Sequence, residues 1–166
     1  MLHAPQRKIQ MEDIQTLRRI LAESKTIAVV GLSDKWHRPS NFAAKYLKEH
    51  GYKIIPVNPG KEEILGEKCY PSLLDIPEKV DVVDIFRKPA DVPPIVDEAI
   101  KIGARVVWMQ IGVINEEAAK RAREAGLEVV MDRCMKIEHA RLFGGINFVG
   151  VNRGLISSKR PRWVPY

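Results

Sequence analysis

The sequence has few cysteines and lacks any long apolar run. Only Cys69 and Cys134 occur among 166 residues, without a C-x-x-C pair, so we expect neither a disulfide framework nor a cysteine-bound metal. No window of about 18 residues is both apolar and uncharged, which argues against a membrane-spanning helix. Residues 1–13 hold positive charges with no apolar segment behind them, unlike a secretory signal. These absences predict a cytoplasmic protein with reduced thiols.

Short catalytic motifs are missing as well. The chain contains neither the G-x-S-x-G elbow of many hydrolases nor the G-x-x-x-x-G-K-[ST] loop that cradles nucleotide phosphates. Its four histidines show no metal-ligand spacing, and we therefore predict no metal site. No serine, histidine and aspartate can be assembled into a catalytic set from the sequence.

Positive charge is concentrated near the end of the chain. The formal net charge is +6, and four cations without any acid lie in residues 151–166, so removing those four charges leaves +2 for residues 1–150. Over residues 1–150, charges of both signs alternate along amphipathic segments, which is atypical of a nucleic-acid-binding face. Nucleic-acid binding therefore stays open only for the basic tail.

Apolar runs alternate with amphipathic segments over most of the chain. The runs at 26–31, 52–61, 80–86, 105–112 and 127–132 predict strands, and the segments at 11–24, 40–51, 90–103, 115–126 and 136–143 predict helices. Pro56 and Pro59 are expected to shorten the second strand. Strands that are apolar throughout are typical of a parallel sheet covered on both faces. The alternation predicts an α/β fold: a doubly wound parallel sheet of about five strands between two helical layers. We expect residues 1–143 to form one domain and residues 144–166 a basic tail.

Candidate capping residues precede three of the predicted helices. Ser40 or Asn41 can cap the helix at 40–51, and Asn115 can cap the helix at 115–126. Asp91 can cap the helix at 90–103, which would place its two prolines in the first turn, where backbone N–H groups have no partner in the helix.

The loop after the first strand has the composition of a phosphate site. It reads VVGLSDKWHRPSNF over residues 29–42, so a buried strand leads through a glycine into a helix. Ligands of doubly wound sheets bind at this edge, and free N–H groups at a helix start attract anions. The residues we expect to take part are Gly31, Ser33, Lys35, Arg38, Ser40 and Asn41. The alternative is a solvated connecting loop.

This loop departs from the dinucleotide fingerprint G-x-G-x-x-G. Ser33 replaces the second glycine, and Pro39 falls near the third. After the next strand the chain reads PVNPGK, where an NAD site usually has an acid for the ribose hydroxyls. Asn58 and Lys61 stand there instead. Both departures disfavour NAD, whereas NADP, with its extra phosphate, is compatible with them.

The ends of the later strands offer further candidate groups. Phe86 can stack on a base, and Arg87 and Lys88 can meet phosphate or be plain surface cations. Gln110 and Gly112, in WMQIGV, suit hydrogen bonds to an amide-bearing ligand.

The segment MDRC follows the fifth predicted strand. Asp132 and Arg133 can pair with each other, and Trp108, one strand earlier, is expected in the core. Cys134 is the thiol near the predicted ligand edge, where it is either a small buried residue or a reactive thiol if its pKa is lowered.

Several of these motifs together resemble a known family. VVGLSDKWHRPS, IIPVNP, LGEKCYPSLLDIPEKVDVVDIFRKP, WMQIGVINEEAAKRAREAGLEVVMDRC and IEHARL look like the small, stand-alone CoA-binding proteins. Their domain is similar to the N-terminal domain of the succinyl-CoA synthetase alpha subunit. The resemblance covers roughly residues 12–143 and implies a Rossmann-like fold that binds coenzyme A.

The resemblance also implies particular contacts. Residues 33–36 stand where the synthetase loop touches CoA, Lys61 corresponds to the lysine of its P-G-K motif, and residues 109–111 follow its fourth strand. With the neighbours of these motifs, the predicted binding set is Gly31, Ser33, Asp34, Lys35, Trp36, Arg38, Ser40, Asn41, Val57, Asn58, Pro59, Lys61, Phe86, Arg87, Lys88, Met109, Gln110, Ile111, Gly112, Val113 and Cys134. Asp34 and Pro39 depart from the more glycine-rich synthetase loop.

The residues and the resemblance together favour a module that binds CoA or an acyl-CoA. The chain has no room for the synthetase's second domain, which carries its phosphorylated histidine, so ligation is not implied. A carrier or sensor without a reaction of its own is the leading hypothesis. The alternatives are an NADP-linked oxidoreductase, an enzyme that exchanges thiols with CoA at Cys134, and a nucleic-acid binder that uses the tail. The sequence indicates neither the acyl group nor a protein partner, and a homodimer stays open.

Overall fold

The computed structural model describes the backbone of residues 11–144 and the side chains of residues 14–144. Beyond Gly144, the basic tail lies outside the described residues, and so do residues 1–10. The nucleic-acid hypothesis for the tail therefore stays a prediction.

Five parallel strands form the central sheet. In chain order the strands are β1 Thr26–Val30, β2 Lys53–Val57, β3 Glu63–Ile64, β4 Glu67–Lys68, β5 Val82–Ile85, β6 Val106–Met109 and β7 Glu128–Val130. The sheet order is β2-β1-β5-β6-β7, and β3 and β4 pair separately as a short antiparallel hairpin. The predicted α/β class and Rossmann-like sheet are confirmed. The strand within 52–61 is short, as predicted, and ends at Val57 before Pro59, but Pro56 does not truncate it and pairs within the ladder opposite Val29.

Helices cover both faces of this sheet. They are α1 Met11–Glu23, α2 Pro39–Glu49, α3 Val92–Lys101, α4 Glu116–Glu124 and α5 Met135–Phe143. Successive residues of β1 point to opposite faces: Ile27 and Val29 pack with α1, α2 and α5, whereas Ala28 and Val30 pack with α3 and α4. The result is the three-layer arrangement expected from strands that are apolar throughout.

The strand order reverses direction between β1 and β5. From β1 the chain crosses to β2 on one side and then returns to β5 on the other. The two connections leave the carboxyl ends of neighbouring strands in opposite directions, which opens a crevice between them. The loop after β1 and the loop after β5 therefore form the walls of the candidate site.

Of the three capping predictions, one is wrong and one is confirmed only in part. Helix α2 begins at Pro39, ahead of Ser40 and Asn41, and proline suits a first turn because it has no N–H to satisfy. Asp91 occupies the N-cap position of α3 and the prolines lie in its first turn as predicted, but the Asp91 side chain makes no capping bond and its carboxylate faces Arg87 at 3.3 Å. The third is confirmed: the Asn115 side chain accepts from the backbone N–H of Ala118 at 2.9 Å.

Candidate functional site

Two adjoining cavities lie at the carboxyl edge of the sheet. The smaller, about 370 Å³, is called the cationic pocket here and is lined by Gly31, Ser33, Lys35, Arg38, Pro39, Ser40 and Phe86. The larger, about 630 Å³, is called the apolar groove and is lined by Pro39, Phe42, residues 86–89, residues 110–113, Cys134 and Ile137. Pro39 and Phe86 line both, so the two cavities adjoin and are treated together as the candidate site.

Gly31 allows the two walls of the crevice to approach. Its φ is +83°, and a Cβ added there would lie 2.6 Å from the Phe86 carbonyl oxygen and 2.8 Å from Cδ of Arg87. The Gly31 N–H donates to the Val57 carbonyl oxygen at 2.9 Å, which ties the loop to β2. Any side chain at this position would force the loop after β1 away from the loop after β5.

The polar residues of the first loop mostly bond to one another. The Ser33 N–H donates to Oγ of Ser40 at 3.0 Å, and Nδ2 of Asn41 donates to the Ser33 carbonyl oxygen at 2.8 Å. The Lys35 N–H donates to Oγ of Ser33 at 3.1 Å. Ser40 and Asn41, which the sequence suggested as ligand donors, are buried and hold the loop in shape.

Two cations remain free at the cationic pocket. The side chains of Lys35 and Arg38 are exposed and make no ion pair with any described residue. The backbone N–H of Ser40 opens the first turn of α2, where N–H groups lack an acceptor within the helix. Two unpaired cations beside a helix start make a favourable environment for a phosphate.

Asp34 and Lys61 form a pair away from both cavities. Their side chains meet at 2.6 Å, and the Lys61 ammonium lowers the pKa of the Asp34 carboxyl. Asp34 lines a separate side groove of about 760 Å³ between α2 and the β3–β4 hairpin, together with Trp36, whose side chain is 80% exposed. The predicted phosphate role of Lys61 would require it to leave an acid that already neutralises it.

The segment after β2 supports the first loop from the side. Nδ2 of Asn58 donates to the Leu32 carbonyl oxygen at 3.1 Å, and its Oδ1 accepts from the Gly60 N–H at 2.9 Å. Val57 is buried in the core and Pro59 is exposed. None of the predicted residues at 57–61 lines the cationic pocket or the apolar groove.

The walls of the apolar groove are mainly hydrophobic side chains. Phe42, Ile111, Val113 and Ile137 line it, and Ile111 is 62% exposed. Met109 differs from the other predicted residues of its segment, because its side chain is fully buried in the core.

Polar groups stand at the rim of the groove. Lys88 makes no ion pair with a described residue, whereas Arg87 is paired with Asp91. The Gly112 N–H donates to Oδ1 of Asp132 at 2.8 Å, which fixes the loop after β6. The suggested pair of Asp132 with Arg133 is therefore wrong; Arg133 instead contacts Glu138 at 3.2 Å.

Cys134 borders the groove immediately before α5. Burial raises the pKa of its thiol and the nearby Asp84 carboxylate raises it further, although backbone N–H groups of Ile137 and Lys136 act in the opposite direction. A thiol whose pKa is raised is mostly protonated at neutral pH and is a weak nucleophile. The environment does not provide the lowered pKa on which thiol exchange would depend.

Sequence reasoning missed Asp84. This residue is 0% exposed in the middle of β5, between Val29 and Trp108 on the neighbouring strands. Its Oδ1 accepts from Nε2 of Gln110 at 2.7 Å, and its Oδ2 has no hydrogen-bond partner among the described residues. Burial raises the pKa of Asp84 to about 7, and the Gln110 bond opposes that rise. The available signal was a carboxylate inside the otherwise apolar run VVDIF.

The described residues also restrict the chemistry. Within residues 14–144, no three His, Cys, Asp or Glu side chains gather as a metal ion would require. Over the same described part of the chain, no helix combines the length and apolar character needed to cross a bilayer. What the edge does offer is a cationic pocket joined to an apolar groove, which suits a ligand with phosphates at one end and a less polar arm at the other.

Comparisons with known proteins agree with this geometry. The sequence profile of the family described as CoA binding domain matches residues 25–140. The chain is 44% identical over 124 residues to Uncharacterized protein YneT of Bacillus subtilis, a match that covers 75% of this chain and 92% of that protein. A solved structure, a hypothetical protein from Pyrococcus horikoshii OT3, has a TM-score of 0.77 and 54% identity over 79% of this chain and 92% of its own.

Larger relatives contain a similar segment. The chain is 37% identical over 106 residues to ADP-forming acetate–CoA ligase II of Archaeoglobus fulgidus, covering 63% of this chain but 16% of the ligase. Across the matched CoA ligases and ligase subunits, the chain spans between 12% and 29% of their length. The profile covers most of this chain, the relatives agree with it, and the chain belongs to the CoA binding domain family.

Proposed function

We propose that this protein binds coenzyme A or an acyl-CoA across the cationic pocket and the apolar groove, in the cytoplasm. The observation that carries the proposal is that a pocket lined by cations adjoins an apolar groove, with Pro39 and Phe86 lining both. Coenzyme A combines a pyrophosphate and a 3′-phosphate with a long, uncharged arm. Lys35 and Arg38 would hold phosphate, and the groove would hold the arm.

The surroundings of the groove support binding without a reaction. No described histidine lines either cavity, and the pKa of the Cys134 thiol is raised, not lowered. A group able to act as general base or nucleophile at neutral pH is thus missing from the described lining. We therefore propose a carrier or sensor, and expect acetyl-CoA incubated with the protein to stay intact at the rate of the protein-free control. Faster loss of the thioester would contradict the non-catalytic role.

Calorimetric titration with CoA, and in parallel with NADP, tests the binding site. We expect CoA to bind, and the double variant Lys35→Ala with Arg38→Ala to weaken it by about 10- to 100-fold, because two exposed contacts of about 0.7–1.4 kcal/mol each together contribute about 1.4–2.7 kcal/mol. The matched control is Lys101→Ala with Arg123→Ala, which removes the same charge from exposed positions near the ends of α3 and α4.

The control variant should bind CoA within about twofold of the unmodified protein, because screening weakens charges at that distance. Binding of NADP in place of CoA would overturn the proposal. Equal losses in the two double variants would place the phosphates outside the cationic pocket.

A further inference from the structure

Asp84 differs from the carboxylates that hold this fold together. Asp81, just before the same strand, accepts from the backbone N–H groups of Lys25 and Thr26 at 2.8 and 3.1 Å. Asp84 accepts no backbone hydrogen bond, and its partner among the described residues is the Gln110 side chain. A buried carboxyl with one partner destabilises the fold, so the fold itself does not account for its presence.

Gln110 connects Asp84 to the groove. It lines the apolar groove although it is only 4% exposed, and its backbone closes the turn after β6, where the Val113 N–H donates to the Gln110 carbonyl oxygen at 2.9 Å. Its side-chain amide has two different ends. Nε2 faces Asp84, and Oε1 has no hydrogen-bond partner among the described residues.

The orientation of this amide follows from the chemistry of its partner. An ionised carboxylate can only accept hydrogen bonds, so it selects the rotamer of Gln110 that directs Nε2 inward. The carbonyl oxygen Oε1 is then the atom of the amide that is available to a ligand. Next to an apolar partner, the same amide could turn over and present its N–H₂ group.

We propose that Asp84 is a positioning residue that holds Gln110 with Oε1 toward the groove, where this oxygen accepts a hydrogen bond from an amide N–H of the ligand's arm. The inference rests on the proposed binding of CoA, whose arm contains two secondary amides. A ligand without an N–H at this point would leave a desolvated acceptor unpaired in a mainly apolar wall, and so would bind more weakly.

The test compares CoA with adenosine 3′,5′-bisphosphate, which has the adenine and the 3′-phosphate but no arm. Asp84→Leu should weaken CoA by about 10-fold, the loss expected for one buried hydrogen bond, and should leave the bisphosphate within about twofold. Asp84→Asn should lose less affinity for CoA than Asp84→Leu, because the carbonyl oxygen of the asparagine can still accept a hydrogen bond from Nε2 of Gln110. Gln110→Leu should weaken CoA binding as much as Asp84→Leu does. The double variant should bind CoA no more weakly than either single variant, since Asp84 acts through Gln110.

Asp81→Asn is the matched control, because it alters a carboxylate at the opposite end of β5. It should lower stability without changing the ratio of the two affinities. Asp84→Leu should change stability little, because removing a buried carboxyl offsets the loss of the hydrogen bond to Nε2 of Gln110. Equal losses for CoA and the bisphosphate, or additive losses in the double variant, would overturn the positioning role. Failure of the unmodified protein to bind CoA would instead overturn the proposed function.

Discussion

At the scale of single residues, Gly31 sets the width of the crevice. It meets two separate demands: a φ of +83° and a neighbouring carbonyl oxygen where a Cβ would stand. Gly51 meets only the first, since its φ is +92° and a Cβ added there would have nothing within 4 Å. A substitution at Gly51 therefore introduces backbone strain alone, whereas the same substitution at Gly31 adds a steric clash.

We expect Gly31→Ala to lose about 1–3 kcal/mol more in free energy of unfolding than Gly51→Ala, because the added methyl group must displace the loop after β5. Both variants share the conformational term of about 1–2 kcal/mol for a left-handed alanine. Urea unfolding gives the two values, and titration should show weaker CoA binding in Gly31→Ala alone. Equal losses in free energy of unfolding for Gly31→Ala and Gly51→Ala would mean that the loop after β5 moves away from the added methyl group without cost.

Other residues show why the sequence predicted the site only in part. Lys61 and Asp34 are 27 positions apart, and their pairing depends on how two loops meet in space. Ser40 and Asn41 carry the donors expected of a phosphate loop, yet both bond to Ser33 within the loop itself. Composition identifies groups that can bind a phosphate, but it does not show which of them already have partners.

At the scale of elements, α5 is held by polar as well as apolar contacts. Glu138 accepts from Arg133 and Arg141, and both Glu138 and Arg141 are buried. At the next position along the helix, the His139 ring packs against Tyr46 of α2, whose hydroxyl lies 3.1 Å from Nδ1. The same helix carries Ile137 in the wall of the groove, so its docking on α2 affects the candidate site.

This docking should weaken in acid. Burial lowers the pKa of His139, and His50 nearby lowers it further. Because the folded pKa lies below the unfolded value of about 6.5, the stability contributed by neutral His139 is present above that pH and is lost as the pH falls through the folded pKa. The slope is at most about 1.4 kcal/mol per pH unit for one proton.

Urea unfolding of His139→Gln between pH 8 and pH 5 tests this expectation. The variant should be about 1–2 kcal/mol less stable than the unmodified protein at pH 8, and the difference should shrink toward pH 5. His37→Gln, at an exposed position of the first loop, should leave the pH profile unchanged. A difference that is constant with pH would indicate lost packing only.

At the scale of the whole molecule, the parallel α/β sheet with helices on both faces was the most predictable feature. Alternating strands and helices restrict the chain to right-handed crossovers, and the apolar strands require cover on both faces. The exact ends of β2 and β6 were less predictable. In β2, Pro56 pairs within the parallel ladder opposite Val29. After β6, Gln110 is buried like a strand residue but already belongs to the turn. Strand ends depend on hydrogen-bond partners that a single sequence does not contain.

Binding should also stabilise the molecule as a unit. At a CoA concentration of about 100 times Kd, linkage adds about 2.7 kcal/mol to the free energy of unfolding, provided that the unfolded chain does not bind. For a chain of this size, that corresponds to an increase in Tm of about 5–10 °C in a thermal scan. The Lys35→Ala and Arg38→Ala double variant should show roughly a third of that increase at the same concentration. A full increase in this variant would contradict the assignment of the cationic pocket.

Asp84 has a further consequence for the chain before it folds. The run VVDIF would be continuously apolar without this residue, and uncharged strands of that kind readily associate between molecules. An aspartate in an unfolded chain is ionised at neutral pH, since its pKa there is about 3.9, so Asp84 gives the nascent strand a charge. Folding then buries this carboxylate completely as the sheet forms, away from other chains. The charge on Asp84 thus opposes aggregation of the unfolded chain. The Asp84→Leu variant should be stable once folded but should refold in good yield only at low protein concentration.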